Sequence, residues 1–156
     1  MGKLINLEEA KKILPQYKKE NKKTVFTNGC FDILHVGHVR YLKKSKACGD
    51  VLIIGLNSDN SVKRLKGETR PINNELDRAE LLCELGFVDY VVIFDEDTPE
   101  KLLDEIKPDI YTKGADYTLE TLPEAATVLK NGGVVELFDL VEGKSTTNVI
   151  KKIENK

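Results

Sequence analysis

Two histidines lie three positions apart, at His35 and His38, with Gly37 between them. They fall where an apolar run of strand type gives way to a helical pattern. The start of a helix favours phosphate, because its N–H groups and the positive end of its dipole point outward. Imidazole groups add donors to such a site, and a glycine lets the backbone approach a triphosphate closely. This pattern predicts stabilisation of charge on a phosphate that is being transferred.

Other interpretations of the same turn stay open. Cys30, His35 and His38 could be three ligands of a zinc ion, although no fourth ligand with suitable spacing follows. The histidines could also be a helix cap and a hydrogen-bonded core residue. The glycine-rich ATP-binding motifs GxxxxGK[ST] and GxGxxG do not occur in the sequence. A phosphate site at the turn is therefore favoured over a metal centre.

The elements around this turn alternate short β-branched runs with amphipathic stretches, which is typical of β-α-β units. We predict a doubly wound, Rossmann-like α/β fold of about five parallel strands with helices on both faces and ligands at the carboxyl ends of the strands. The predicted strands are 23–26, 51–56, 90–94, 109–112 and 134–138. The predicted helices are 4–20, 38–47, 75–85, 99–106 capped by Thr98, 122–131 and 146–153. Residues 27–32 are predicted as a loop, and 57–73 as a mobile, functional connection.

Composition limits the class of protein. The chain has 156 residues, so we predict one domain over 1–156, with 1–22 as a leading helix and connection. Lys and Arg number 24 and Asp and Glu 26, and no basic stripe marks a nucleic-acid binder. Three cysteines without a CxxC pair fit reduced thiols, and neither a membrane-length apolar run nor a signal peptide is seen. We therefore expect a cytoplasmic protein without nucleic-acid or membrane partners.

The segment from Thr27 to Leu42, TNGCFDILHVGHVRYL, resembles the HxGH signature of the cytidylyltransferase-like nucleotidyltransferase superfamily. The similarity extends from about Lys23 onward through NSDNSVKRLKGETRPI, DRAELLCELGFVDYVVIFDEDTP, IKPDIYTKGADY and VEGKSTTNVI. Together these segments resemble the adenylyltransferase domain of the ADP-heptose synthesis enzymes, the D-glycero-β-D-manno-heptose 1-phosphate adenylyltransferases. HxGH alone indicates only the superfamily, and the long run from Asn57 to Asp116 narrows the resemblance.

The resemblance implies roles for individual positions. His35 and His38 match the pair that contacts the triphosphate and stabilises the transition state, and Lys66 and Arg78 match basic positions that reach phosphates. The positions that match the loop under the nucleotide are Gly29, Cys30, Phe31 and Asp32, of which Asp32 orders the turn or a magnesium-bound water. The positions that match a loop near the base and ribose are Lys113, Gly114, Asp116 and Tyr117. The positions that match the start of the last helix, against the β- and γ-phosphates, are Ser145, Thr146 and Thr147.

Simpler roles stay open for several of these residues. Lys66 could be a solvated lysine on a polar loop, and Arg78 could pair with Asp77, Glu80 or another neighbour. The segment 145–147 could be a helix cap, which would use the same N–H groups as a phosphate. Cys30 is predicted to be structural, since the transfer needs no thiol.

The resemblance implies in-line attack by an oxygen of heptose 1-phosphate on the α-phosphorus of ATP, giving ADP-heptose and pyrophosphate. No general base is required, and Mg²⁺ is expected to be held largely by substrate and water. The resemblance also implies a homodimer and a separate sugar kinase. Alternatives are a cytidylyltransferase for glycerol 3-phosphate or ethanolamine phosphate, an FMN adenylyltransferase, and a nucleotide sensor without turnover. The product would feed lipopolysaccharide or another glycan.

Overall fold

The computed structural model describes residues 1–114, 121–138 and 146–154, which form one parallel sheet with helices on both faces. The strands are β1 (Lys3–Leu4), β2 (Thr24–Gly29), β3 (Val51–Asn57), β4 (Tyr90–Phe94), β5 (Ile110–Gly114) and β6 (Val134–Phe138). The helices are α1 (Leu7–Lys19), α2 (Val36–Ala47), α3 (Asp59–Lys66), α4 (Glu75–Cys83), α5 (Glu100–Ile106), α6 (Pro123–Lys130) and α7 (Thr146–Glu154). None of the helices in these ranges is both long and apolar enough to cross a membrane.

The sheet has the order β1-β4-β3-β2-β5-β6, and each pair of neighbours is parallel. The doubly wound α/β prediction is confirmed, with six strands in place of about five. The additional strand is β1, which pairs Lys3 with Tyr90 and Leu4 with Val91 at the edge of the sheet. Residues 3 and 4 were expected to belong to the leading segment, because two residues are too few to show a strand pattern.

The direction of winding reverses beside β2. This strand pairs with β3 on one side and with β5 on the other, so the chain reaches its two neighbours by crossovers in opposite directions. In sheets of this type, ligands bind beyond the carboxyl ends of the strands at the point of reversal. Those ends are Gly29 in β2 and Gly114 in β5.

Two apolar clusters cover the two faces of the sheet. Neighbouring residues of β2 point to opposite faces, so that Phe26 belongs to one cluster and Val25 to the other. The first cluster joins the sheet to α1, α5 and α6 through Ala10, Leu14, Leu102, Leu103, Ile106 and Val128. The second joins it to α2 and α4 through Leu42, Ala79, Leu82 and Cys83. Both faces are therefore needed to hold the carboxyl end of β2 in place.

Strand β2 extends beyond its predicted end. Thr27, Asn28 and Gly29 were predicted as loop, but they pair with residues 54–56 of β3. The Thr27 hydroxyl lies 2.9 Å from the Tyr41 hydroxyl and donates to the Thr112 carbonyl oxygen at 3.1 Å. These polar side chains are satisfied inside the sheet, so a polar sequence continues a buried strand.

The connection 57–73, predicted as mobile, contains helix α3. Ser58 caps this helix by accepting a hydrogen bond from the Ser61 N–H at 3.2 Å, and Gly67 follows its last residue at a φ of +107°. Its buried residues are Ser61 and Val62. The apolar face is therefore too small to produce a helical pattern in the sequence.

Smaller differences concern helix ends. Thr98 is not a cap, because α5 starts after Pro99 without a side-chain cap hydrogen bond. Helix α1 begins at Leu7, three residues after its predicted start, and α2 begins at Val36, two residues before its predicted start. The earlier start of α2 decides the geometry of the histidine pair.

Candidate active site

The two histidines form the first turn of α2. His35 is the residue that caps the helix, and His38 is the third helical residue. His35 Nδ1 accepts a hydrogen bond from the Gly37 N–H at 3.1 Å, and His38 Nδ1 accepts a longer one from the His35 N–H at 3.4 Å. The two rings stack with their centroids 3.9 Å apart. Capping and a phosphate site therefore coincide, with imidazoles in the places that Ser, Thr or Glu usually take.

These caps determine which ring nitrogen carries the proton. A neutral imidazole has one N–H donor and one acceptor nitrogen. Because Nδ1 is the acceptor in both His35 and His38, Nε2 carries the hydrogen in each ring. The turn therefore combines two Nε2–H donors with the positive end of a helix dipole, which suits the stabilisation of negative charge on a phosphate.

His38 is neutral at physiological pH. Burial, and to a smaller extent the neighbouring His35, lowers the pKa of His38 to about 4. A neutral imidazole keeps its Nδ1 acceptor for the cap and its Nε2–H for a ligand, whereas protonation at Nδ1 would remove the cap. Its contribution to a phosphate site is a hydrogen bond rather than a full positive charge.

We expect NMR titration of the ligand-free protein to give a His38 pKa near 4, well below the ordinary 6.5. Binding of magnesium and an ATP analogue should raise this pKa by about one unit or more, because a nearby anion favours the imidazolium. A ligand-free pKa above 6, or a pKa that the nucleotide leaves unchanged, would contradict the proximity of His38 to phosphate.

The same titration predicts a loss of stability in acid. Unfolded His38 binds a proton near pH 6.5 and the folded residue only near pH 4, so unfolding takes up a proton between these values. The free energy of unfolding should therefore fall as the pH drops from 6.5 toward 4. Urea denaturation of the wild type and of His38→Asn isolates this contribution, which the variant should lack.

Phe31 holds His38 from a second side. The two rings meet edge to face with their centroids 5.2 Å apart, and Phe31 is buried at a φ of +45°. A Cβ atom on Gly29 would lie 2.9 Å from the Phe31 ring. Glycine at position 29 is therefore required for the packing of Phe31, and through it for the placement of His38. The predicted approach of Gly29 and Phe31 to a nucleotide stays a prediction.

Asp32 organises the connection between α3 and α4. Its buried carboxylate accepts hydrogen bonds from the Ile72 N–H at 2.8 Å, the Asn73 N–H at 2.9 Å and Arg70 Nε at 2.6 Å. Burial alone raises the pKa of Asp32, but these donors outweigh it and hold the pKa below its ordinary value. Both oxygens are thus engaged. Of the two roles left open by the sequence, its contacts support the ordering of the turn.

Positive charge surrounds the loop that follows β2. Burial raises the pKa of the Cys30 thiol, and four cations oppose this rise, namely Lys66, Arg78, Arg70 and Lys113. The structure therefore places three predicted site residues, Lys66, Arg78 and Lys113, around one loop. Lys66 is the exposed last residue of α3. Since the net effect on the pKa is upward, Cys30 is a protonated thiol, in keeping with its predicted structural role.

Arg78 lies beneath this loop, where its side chain is 0% exposed. It donates to the carbonyl oxygens of Asn57 at 2.7 Å, Cys30 at 2.8 Å and Asn73 at 2.9 Å, and it pairs with Asp59 at 2.8 Å. All three guanidinium nitrogens already have acceptors within the protein, and the expected contact of Arg78 with a phosphate stays a prediction. Its partners also differ from the helical neighbours that the sequence suggested.

A buried polar network links the carboxyl ends of β2 and β5. Asn28 Oδ1 accepts from the Tyr111 hydroxyl at 2.6 Å and lies 3.4 Å from Lys113 Nζ. The Tyr111 hydroxyl also lies 2.9 Å from a carboxylate oxygen of buried Glu124. Lys113 and the strand end Gly114 were selected from the sequence, whereas the other three were missed. A polar residue at the end of an apolar strand could have indicated Asn28, but no signal marks Glu124.

Part of the predicted site lies outside the described residues. This applies to Asp116, Tyr117 and Ser145, and to the side chains of Thr146 and Thr147, whose backbone begins α7. Their contacts with the base, the ribose and the β- and γ-phosphates stay predictions.

The described residues contain no group of three histidine, cysteine or acidic side chains placed to hold a metal ion. Cys30, His35 and His38 are all described, so the zinc interpretation has no support from the geometry. Both imidazole Nδ1 atoms are used in the helix cap as well.

The family described as cytidylyltransferase-like matches residues 26–152, a range that includes the imidazole cap, the cations around Cys30 and the end of β5. The chain belongs to the cytidylyltransferase-like family. The resemblance seen in the sequence and the nucleotidyltransferase class that it predicts are thereby confirmed.

Several curated relatives match this cytidylyltransferase-like domain over almost all its length. It is 58% identical over 98% of the chain to the bifunctional protein HldE of Campylobacter concisus. It is 53% identical over 94% of the chain to the protein of the same name from Syntrophotalea carbinolica. The chain spans 31% and 30% of the length of these two relatives.

Solved structures agree on the fold. A lipopolysaccharide core biosynthesis protein from Thermoplasma volcanium superimposes with a TM-score of 0.63 at 36% identity, over 77% of this chain and 97% of that protein. Pantoate-beta-alanine ligase from Francisella tularensis superimposes with a TM-score of 0.65 at 16% identity, over 100% of this chain and 80% of the ligase. The second likeness concerns the fold alone.

Proposed function

We propose that this domain is an adenylyltransferase that joins AMP from ATP to heptose 1-phosphate, giving ADP-heptose and pyrophosphate. The observation that carries the proposal is the imidazole cap of α2. In it, His35 and His38 both use Nδ1 for the helix, and His38 Nε2–H is a donor for a ligand at the reversal point of a doubly wound sheet. Nucleotidyl transfer depends mainly on positioning and on stabilising charge at phosphorus, which such donors provide.

The transfer needs no general base from the protein. An ionised oxygen of the sugar 1-phosphate forms a bond to the α-phosphorus of ATP. The bond between that phosphorus and the bridging oxygen of the β-phosphate breaks, and pyrophosphate leaves with the electron pair. His38 is neutral before the nucleotide binds, because its pKa is then about 4, and its Nε2–H donates to charge that grows on the phosphate oxygens.

Magnesium fits this site as an ion held by the substrate. The carboxylate nearest to the imidazole turn in sequence is Asp32, and both of its oxygens are used by the 70–73 segment and Arg70. Mg²⁺ keeps several waters and is often bound through substrate phosphates. When bound, it would neutralise charge on the triphosphate, and the protein would contribute donors and cations.

Support for the acceptor comes from similarity. The resemblance to heptose 1-phosphate adenylyltransferases covers residues 57–116 as well as the histidine turn, and close relatives carry the name bifunctional protein HldE. A structural neighbour is described as a lipopolysaccharide core biosynthesis protein. The proposal also includes a kinase that supplies the sugar 1-phosphate, a cytoplasmic location and a homodimer, which sedimentation at several concentrations would check.

Pyrophosphate release tests the proposal directly. ATP and CTP would each be combined with magnesium and with heptose 1-phosphate, glycerol 3-phosphate, ethanolamine phosphate or FMN. We expect turnover with ATP and heptose 1-phosphate alone. Turnover with CTP, or with another acceptor, would replace the proposed substrate but keep the reaction class. No turnover from folded protein with any pair would contradict the proposed activity and favour a nucleotide sensor.

A further inference from the structure

Arg70 contacts the loop beneath the imidazole turn through only one edge of its guanidinium. Its Nε donates to Asp32 Oδ2 at 2.6 Å, and its side chain is 12% exposed. Within the described part of the chain, the terminal amino groups of Arg70 form no hydrogen bond, and its backbone N–H donates to the Gly67 carbonyl oxygen at 3.1 Å. Arg78 differs, because its Nε, Nη1 and Nη2 atoms all donate to carbonyl or carboxylate oxygens.

Asp32 does not need the guanidinium for its hydrogen bonds. Backbone N–H groups of Ile72 and Asn73 already donate to the carboxylate, at distances from 2.8 to 2.9 Å. The ion pair therefore has a second consequence, which is to fix the direction of the Arg70 guanidinium. A guanidinium held at one edge presents its other donors in a fixed plane, which suits two oxygens of one phosphate.

The surroundings of Arg70 favour an anion. Its charge acts on Cys30, two residues before Asp32, together with the charges of Lys66 and Lys113. Asp32 is its ion-pair partner among the described residues. Lys66 and Lys113 therefore add positive charge to the segment that leads to His35, where Asp32 is paired with Arg70.

We propose that Arg70, positioned by Asp32, donates from its terminal amino groups to a phosphate of the bound substrate. This inference rests on the proposed function and assigns the phosphate contact to Arg70 instead of Arg78. The phosphate belongs either to the triphosphate of ATP or to the sugar 1-phosphate, and separate binding measurements distinguish the two.

A double-mutant cycle tests the inference. Asp32→Asn removes the carboxylate charge that pairs with Arg70. Arg70→Ala is then made in the wild-type and in the Asp32→Asn protein. Binding of magnesium with a non-hydrolysable ATP analogue, and of heptose 1-phosphate to that complex, would be measured by calorimetry. We expect Arg70→Ala to weaken one of these affinities by roughly tenfold or more even in the Asp32→Asn background, as for loss of a charged hydrogen bond.

Arg64→Ala is the matched control, because Arg64 Nε also pairs with a carboxylate, Asp97, at 2.7 Å, but on the exposed surface. It should leave both affinities unchanged. If Asp32→Asn does not fold, Arg70→Lys replaces the cycle. The single ammonium nitrogen of lysine cannot donate to the Asp32 carboxylate and to a phosphate in the way that two edges of a guanidinium can. One affinity should therefore still fall severalfold.

The inference would be overturned if Asp32→Asn and the double variant bound both ligands with equal affinity. Where Arg70→Lys replaces the cycle, wild-type affinities of that variant would overturn it. A wild-type protein that binds neither ligand would overturn it as well. A different result would contradict the proposed function but not this inference: no pyrophosphate is released, although the ligands still bind and their affinity still depends on Arg70.

Discussion

Replacing His38 by asparagine is expected to lower kcat by about 10²–10³, since loss of one donor to transition-state charge costs about 2.7–4 kcal/mol. Asparagine places its amide oxygen near the position of Nδ1, so the hydrogen bond from the His35 N–H can persist. Its side chain is too short to place a donor at the position of Nε2. Pyrophosphate release and urea denaturation would be measured on the same preparation, and stability should change by less than about 1 kcal/mol.

Glutamine at the same position is the matched variant. Its amide reaches the position of Nε2 and can still donate, but it leaves the His35 N–H without the Nδ1 acceptor. We expect His38→Gln to keep at least ten times the kcat of His38→Asn while losing roughly 0.5–2 kcal/mol of stability. An asparagine variant within threefold of wild-type kcat would reject the donor role, and equal losses in both variants would reject its assignment to Nε2.

The fold follows from patterns that several residues share. Strand β3 is buried along its whole length and apolar as far as Leu56, so its position and the parallel sheet could be predicted. Two elements could not. Strand β1 has two residues, and helix α3 buries only Ser61 and Val62 in its eight-residue length. Neither element therefore produces a periodic pattern of apolar residues. Their formation depends on backbone pairing with β4 and on the Ser58 cap, which are contacts rather than patterns.

Some features of the candidate site could likewise be predicted from the sequence, and others could not. Residue type and spacing placed His35 and His38 at the start of a helix, because glycine and histidine in one turn leave few structural alternatives. The ring nitrogen that carries the proton could not be predicted, since it depends on where α2 begins. That start lies at Val36, which makes His35 the cap and places His38 one turn beneath it.

The arginines illustrate the remaining limit. Arg70 lies in a polar connection and Arg78 in an amphipathic helix, and the resemblance assigned a phosphate to Arg78. The direction of each side chain depends on partners far along the chain: Arg78 donates to the Cys30 carbonyl and Arg70 pairs with Asp32. Local sequence does not contain this information, because these partners are 38 and 48 residues away along the chain. These long-range contacts are the reason why the phosphate role is proposed for Arg70 rather than for Arg78.

Replacing Arg78 by methionine is expected to lower the free energy of unfolding by about 3–5 kcal/mol, as when one partner of a buried ion pair is removed. The substitution leaves the carbonyl oxygens of Cys30, Asn57 and Asn73 without their donor, and such losses cost about 1–3 kcal/mol each when the group is buried. Urea denaturation measures the change. Arg64→Met, at an exposed pair with Asp97, should change stability by less than about 1 kcal/mol.

Arg78→Lys separates the positioning role from contact with phosphate. Lysine keeps the charge, but one nitrogen cannot replace the Nε and Nη1 atoms that join the end of β3, the loop after β2 and the segment before α4. We therefore expect a loss of stability close to that of the methionine variant, together with a lower kcat, because these segments lead to His35 and to Arg70. Unchanged stability with a weaker affinity for the ATP analogue would instead show that Arg78 binds phosphate itself. For Arg78→Lys, a positioning role therefore predicts a loss of stability, whereas direct phosphate binding predicts unchanged stability and a weaker affinity for the ATP analogue.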